Sequence, residues 1–183
     1  MEISSFVHGF AAGVTVMGDP RFWFILELLL LVPLMIFSKA RKKTIMDMAE
    51  FILLKAIPVM ILAFGSAIAL QYLIKIPRPC QGAFVCPSGF SFPSAHATVA
   101  FAVFIAFGLS GKKISKKKFV LSLVPAVLVA WSRIELGVHE PIDVVGGAVL
   151  GTLVGIAYIA LWQNIFVGHT TTRSRLRTKY KTR

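Results

Sequence analysis

Residues 141–167 read PIDVVGGAVLGTLVGIAYIALWQNIFV, a run in which Asp143 is the single charged position. The hydrocarbon core of a bilayer takes about 20 predominantly apolar residues in a helix, so this stretch predicts a membrane-spanning helix. Pro141 suits a first helical turn. His139 lies four residues before Asp143, and if the turn begins early enough the imidazole and carboxylate share one face. Gly147, Gly151 and Gly155 continue inward from Asp143 at steps of four. Small residues at that spacing let membrane helices approach closely. The stripe predicts the face turned toward a helical partner, and so the direction in which His139 points.

Working outward, four more stretches meet the same test: Arg21–Ser38, Met48–Ile74, Ser94–Gly111 and Phe119–Gly137. Backbone groups in lipid must find partners within their own segment, which makes runs of this length helices. The expected architecture is an all-α polytopic membrane bundle of five transmembrane helices in one domain spanning 1–183. Its motif-bearing core covers about 48–167, and a basic tail covers 169–183. Composition agrees, with 56% of residues hydrophobic and 15% charged against roughly 45–50% and 25% in soluble domains. Such hydrophobicity excludes a disordered chain, and two cysteines exclude a disulfide framework. Met1–Pro20 has no Lys or Arg, so the charged start of a secretory signal is missing. Ile3, Phe6, Phe10, Val14 and Met17 recur at helical spacing, predicting a short helix on the outer leaflet or a short sixth span.

The formal charge of +12 invites a nucleic-acid reading, which the placement of the charges removes. Lys39, Arg41, Lys42 and Lys43 follow the first span. Lys112, Lys113, Lys116, Lys117 and Lys118 join the third to the fourth, and Arg173, Arg175, Arg177, Lys179, Lys181 and Arg183 form the tail. These fifteen of the twenty basic residues fall on one side of a five-helix topology. Basic loops stay in the cytoplasm, which puts the N-terminus outside and the C-terminus inside. Nucleic acid is not an expected partner.

The remaining cations are Arg21, Lys55, Lys75, Arg78 and Arg133. Arg21 flanks a span as an interface anchor, and Lys55 snorkels near the cytoplasmic end of the second. Lys75, Arg78 and Arg133 lie at outer ends, where ionisable residues are costly and often functional. Pro93-Ser94 reads as a helix start capped by Ser94, whose first-turn amides near Ala95 and His96 make an anion site. His139 and Asp143 add an imidazole oriented by a carboxylate. Two guanidiniums, an ammonium, a helix N-terminus and two imidazoles facing few acids fit an anion rich in oxygens, phosphate above all. A metal centre is disfavoured because three cations would repel it and no ligand spacing appears. No cofactor is expected.

Three segments carry these residues in order: Arg78-Pro79; Pro93-Ser94-Ala95-His96; and Ser132-Arg133 followed by His139 and Asp143. Together they resemble the signature of the type 2 phosphatidic acid phosphatase superfamily, which includes vanadium haloperoxidases: K-x6-R-P, P-S-G-H and S-R-x5-H-x3-D. Two positions depart from it. Gln71 stands where the pattern has Lys, with Lys75 one turn nearer Arg78 as a substitute cation, and Ala95 replaces Gly.

The resemblance implies a metal-independent phosphatase. His139 would attack phosphorus and form a phosphohistidine, with Asp143 holding its ring. His96 would protonate the leaving oxygen and then activate water. Arg78, Arg133, Lys75, Ser94 and the amides near Ala95 would hold the phosphate oxygens. The expected partner is a lipid phosphate: a polyprenyl diphosphate processed at the outer leaflet, or else phosphatidic acid or phosphatidylglycerophosphate. A lipid phosphotransferase and a non-catalytic lipid-binding or transport relative are the other readings. Cys80 and Cys86 lie in the outer loop beside Arg78, where an oxidising location permits a disulfide.

Overall fold

The computed structural model describes residues 2–16, 52–80, 86–110 and 116–167. The expected first span, Arg21–Ser38, and the basic tail lie outside them. Every described element is helical: α1 (Glu2–Thr15), α2 (Ile57–Ile74, entered through a π-helical turn at Ile52–Ala56), α3 (Ala95–Leu109), α4 (Lys116–Glu135) and α5 (Pro141–Trp162, running into a π-helical turn at Gln163–Val167). Two of these, counted as Leu54–Ile74 and Pro141–Ile165, are long and apolar enough to cross a membrane.

Local chemistry sets the helix ends. Pro58 occupies the first turn of α2, where its missing N–H costs nothing. At the other end Lys75 turns left-handed, φ 58°, and its N–H donates to the Gln71 carbonyl at 2.9 Å. Pro77 and Pro79 then bar any continuation. The Ser94 backbone is extended at φ −66° and ψ 112°, so α3 begins at Ala95. At 15 residues α3 is shorter than the expected Ser94–Gly111 span, about 22 Å at 1.5 Å per residue. Similarly, α4 starts three residues before the expected Phe119, on Lys116, and closes at Glu135. Hydropathy locates where a chain is apolar, whereas turn residues decide where its helix stops.

Helix α3 is the centre of the bundle, touching α2, α4 and α5. Its buried positions are mostly small, including Ala97, Ala100, Ala102 and Ala106. The glycine stripe of α5 is pressed onto it. A Cβ at Gly151 would lie 2.2 Å from the Thr98 carbonyl oxygen, and one at Gly155 would lie 2.7 Å from that of Ala102. Val59, Met60 and Ala63 of α2 close the core against Val99, Val103 and Ile159. Outward faces carry exposed aliphatics, among them Ile61 and Leu73 of α2, Val120 and Val127 of α4, and Val149 and Leu153 of α5. An apolar exterior around a small-residue core suits lipid as solvent.

The expected N-terminal helix is present, and it docks along α4. Val14 is buried with Ala100, Ala126 and Val129, and Phe10 meets Trp131 with ring centroids 6.3 Å apart. At the end of the bundle remote from the three motif segments, the Tyr158 hydroxyl donates to the Leu54 carbonyl. Beside it Lys55 Nζ sits 5.7 Å from the Trp162 ring centroid, within cation–π range.

Candidate active site

The segments after α2, before α3 and between α4 and α5 meet at one end of the bundle. The Ser94 N–H donates to the Asp143 carbonyl at 2.9 Å, and the Ser91 N–H to the Ile76 carbonyl at 2.7 Å. These bonds tie the three motif-bearing segments together through backbone groups. Phe92 lies over Gly146, where a Cβ would come 2.4 Å from the ring. Cys80 and Cys86 form a disulfide with Cα atoms 5.6 Å apart, closing the loop between Arg78 and Ser91.

His139 and Asp143 are both buried, with Nδ1 3.4 Å from Oδ2. The same carboxylate oxygen accepts the Glu140 N–H at 2.9 Å and the Ser91 hydroxyl. On the other side of the ring, Arg78 Nη1 lies 2.8 Å from His139 Nε2 and 3.4 Å from the Val138 carbonyl. A guanidinium only donates, so Nε2 must be the accepting nitrogen. The proton therefore sits on Nδ1, facing Asp143, and the lone pair on Nε2 faces the cationic side of the pocket.

Electrostatics reinforce that assignment. Burial, then the charges of Arg78 and Arg133, push His139 down to about 4, against the opposing pull of Asp143. Burial also lowers Arg78, partly offset by Asp143. His139 is thus held as the neutral imidazole, with Nε2 unprotonated.

Arg133, on the last turn of α4, is buried, and its Nη1 donates to Thr15 Oγ1. Ser94 occupies the N-cap position of α3, but its hydroxyl makes no capping bond. That Oγ, like Arg78 Nε, is buried without a hydrogen-bond partner. Unsatisfied buried polar atoms are expensive, and these two belong to motif residues expected to hold phosphate. Ala95 is buried at the start of α3, and His96 lies half-buried in its first turn.

Lys75 stands apart from this pattern. It is exposed on the left-handed cap of α2, whereas Gln71 is buried and donates Nε2–H to the Pro93 carbonyl at 2.8 Å. The neutral amide at the position of the pattern's Lys braces the Pro93-Ser94 segment.

The sequence reading missed Ser91, which carries no periodicity or motif spacing of its own beyond lying two residues before Pro93. Its hydroxyl bonds Asp143 and lies 3.4 Å from His139 Nδ1, so it fixes the orienting carboxylate. Ser91→Ala is expected to lower kcat/KM by about tenfold, the weight of one hydrogen bond to a charged group. The measurement is steady-state kinetics with folding monitored in parallel, and a variant as active as the parent would contradict this role.

A fold of packed membrane-type helices with an oriented imidazole and two arginines at one end defines a class of phosphate-handling membrane proteins. The sequence pattern of the PAP2 superfamily matches residues 52–166, and the chain belongs to that superfamily. YbjG of Escherichia coli (strain K12), which carries a provisional name as an undecaprenyl-diphosphatase, is 41% identical over 73 residues, 40% of this chain and 35% of its own length. Phosphatidylglycerophosphatase B of Bacillus subtilis (strain 168) is 39% identical over 105 residues, 51% of this chain and 52% of its own. The chain thus spans about a third to a half of the curated relatives it matches. The crystal structure of a transmembrane PAP2-type phosphatidylglycerolphosphate phosphatase from Bacillus subtilis superposes with a TM-score of 0.64 at 28% identity, covering 87% of this chain and 78% of that one.

Proposed function

We propose that this chain is a membrane lipid-phosphate phosphatase that hydrolyses a polyprenyl diphosphate to the monophosphate through a phosphohistidine. The observation that carries it is the His139 ring, with Nδ1 toward Asp143 at 3.4 Å and Nε2 against Arg78 at 2.8 Å. Nε2 attacks the terminal phosphorus, and the bond from phosphorus to the bridging oxygen breaks. His96 protonates that oxygen, releasing the monophosphate. His96 then takes a proton from water, whose oxygen attacks the phosphohistidine; inorganic phosphate leaves and the Nε2 lone pair returns. Arg78, Arg133, Ser94 and the first-turn amides of α3 meet the equatorial oxygens, where phosphoryl transfer gains most from fixed positive charge. Five spans, an extracytoplasmic site and a cytoplasmic tail complete the reading, supported by the one-sided basic residues.

The preference for a polyprenyl diphosphate rests on an outward-facing site, suited to recycling a glycan carrier, and on the name of the Escherichia coli relative. The Bacillus subtilis relative and structural neighbour favour phosphatidylglycerophosphate as the second reading. The test is phosphate release by purified full-length protein on polyprenyl diphosphates, phosphatidylglycerophosphate and phosphatidic acid, with chelator present. Release from the diphosphate at the highest kcat/KM supports the proposal. Preference for a glycerophospholipid replaces the substrate, loss on chelation restores a metal centre, and no release on any lipid ends the enzymatic reading.

The acid limb of kcat/KM reports ionisation in the free enzyme. With His139 at about 4, its attacking nitrogen stays unprotonated well into acid, and the limb falls near pH 4. At pH 5.5 activity should remain close to the plateau, where an imidazole titrating near 6.5 would leave about one-tenth. Since the unfolded chain takes up a His139 proton before the folded one does, stability is full above about 6.5 and falls as pH drops from there toward 4.

A further inference from the structure

We propose that α1 is part of the catalytic apparatus, with Thr15 the positioning residue that aims the Arg133 guanidinium at the phosphate pocket. The inference rests on the phosphatase reading above. Helix α1 lies outside the segment, 52–166, that the superfamily pattern covers, yet its contacts straddle the turn that carries Arg133. Phe10 packs on Trp131, His8 Nδ1 lies 3.4 Å from Glu135 Oε1, and Thr15 Oγ1 accepts from Arg133 Nη1. Val14, one residue before Thr15, is buried among Ala100, Ala126 and Val129 of α3 and α4, which fixes the height at which the hydroxyl meets the guanidinium.

The chemistry of the acceptor matters. A carboxylate at this point would pair with Arg133 and compete with phosphate for its charge. A hydroxyl satisfies one of the five N–H donors and leaves the positive charge intact. Thr15 is also the last residue of α1, and the partial negative charge at a helix C-terminus favours a cation there. The side chain of Arg133 is long and flexible, so a fixed contact at Nη1 restricts where its charge lies when phosphate arrives. The single methyl group of Thr15 matters less than the oxygen, which separates positioning from packing.

The test uses full-length protein in detergent, with kcat, KM and the inhibition constant of inorganic phosphate measured for each variant. Thr15→Val is expected to lower kcat/KM about tenfold, the weight of one hydrogen bond to a charged group, and to weaken phosphate inhibition, at an unchanged melting temperature. Thr15→Ser restores both constants. In an Arg133→Ala background, Thr15→Val changes phosphate binding no further, because interacting residues are non-additive. Full activity in Thr15→Val, failure of serine to rescue, or losses that multiply in the double variant overturn the inference while leaving the phosphatase reading in place. A parent protein that neither releases nor binds phosphate overturns both.

Discussion

His139→Ala is expected to abolish phosphate release from every lipid phosphate, a loss of at least about 10⁴-fold, as removal of a covalent nucleophile costs in other two-step hydrolases. The size follows from what the ring does in this site. In the proposed mechanism its Nε2 lone pair is the attacking group, with Arg78 Nη1 2.8 Å away. Its Nδ1 proton points at an Asp143 carboxylate already fixed by the Glu140 amide at 2.9 Å and by Ser91. Rapid quench of the parent with labelled substrate should yield an alkali-stable, acid-labile phosphoprotein, and His139→Ala should yield none. Substantial turnover by the variant would mean that water attacks phosphorus directly. Asp143→Asn should be milder because the ring remains, with the loss falling mainly in kcat as the Nδ1 proton loses its charged partner.

The second large effect concerns packing. Gly151→Ala is expected to lower both stability and activity, although it adds one methyl group. The new Cβ would lie 2.2 Å from the Thr98 carbonyl oxygen and 2.9 Å from its carbon. Those atoms are backbone near the start of α3, so no side chain can swing aside and the helices must separate. Overpacking of this kind costs about 1–3 kcal/mol. Separation also moves α5, which carries Asp143, against the Ser94 segment to which it is hydrogen bonded at 2.9 Å. A displacement of about 1 Å at a reacting centre costs on the order of 10²-fold in rate. Gly65→Ala on α2 is the control, since nothing lies within 4 Å of a Cβ there. Thermal unfolding in detergent together with kcat/KM should show both quantities falling for Gly151→Ala and neither for Gly65→Ala. Equal behaviour of the two variants would remove the close contact as the cause.

Much of this site was legible because helical spacing carries it. His139, Asp143 and the glycines share steps of four, and the structure places those glycines against α3. Arg78, Arg133, Ser94 and His96 were legible through their order and intervals. Ser91 was not, because its role depends on the Ser91–Asp143 contact between residues 52 positions apart. Thr15 was hidden for the same reason, 118 positions from Arg133. Lys75 was read as a substitute cation one turn beyond Gln71, and it stands on the left-handed cap that follows Ile74. The amide of Gln71, read as a departure from a pattern, gains its meaning from the Pro93 carbonyl that it bonds.

The bond between Tyr158 and the Leu54 carbonyl joins α2 and α5 at the far end from the chemistry. The two helices run antiparallel, one delivering Arg78 and the other following His139, so this joint acts as the fulcrum of a lever. An 18-residue helix such as α2 is about 27 Å long. Over that length a tilt of about 2° at the fulcrum carries the other end through about 1 Å, the distance on which the alignment of Arg78 with Nε2 depends. A tyrosine hydroxyl at one face of the bundle is thereby linked, through α2, to the placement of Arg78 at the opposite face.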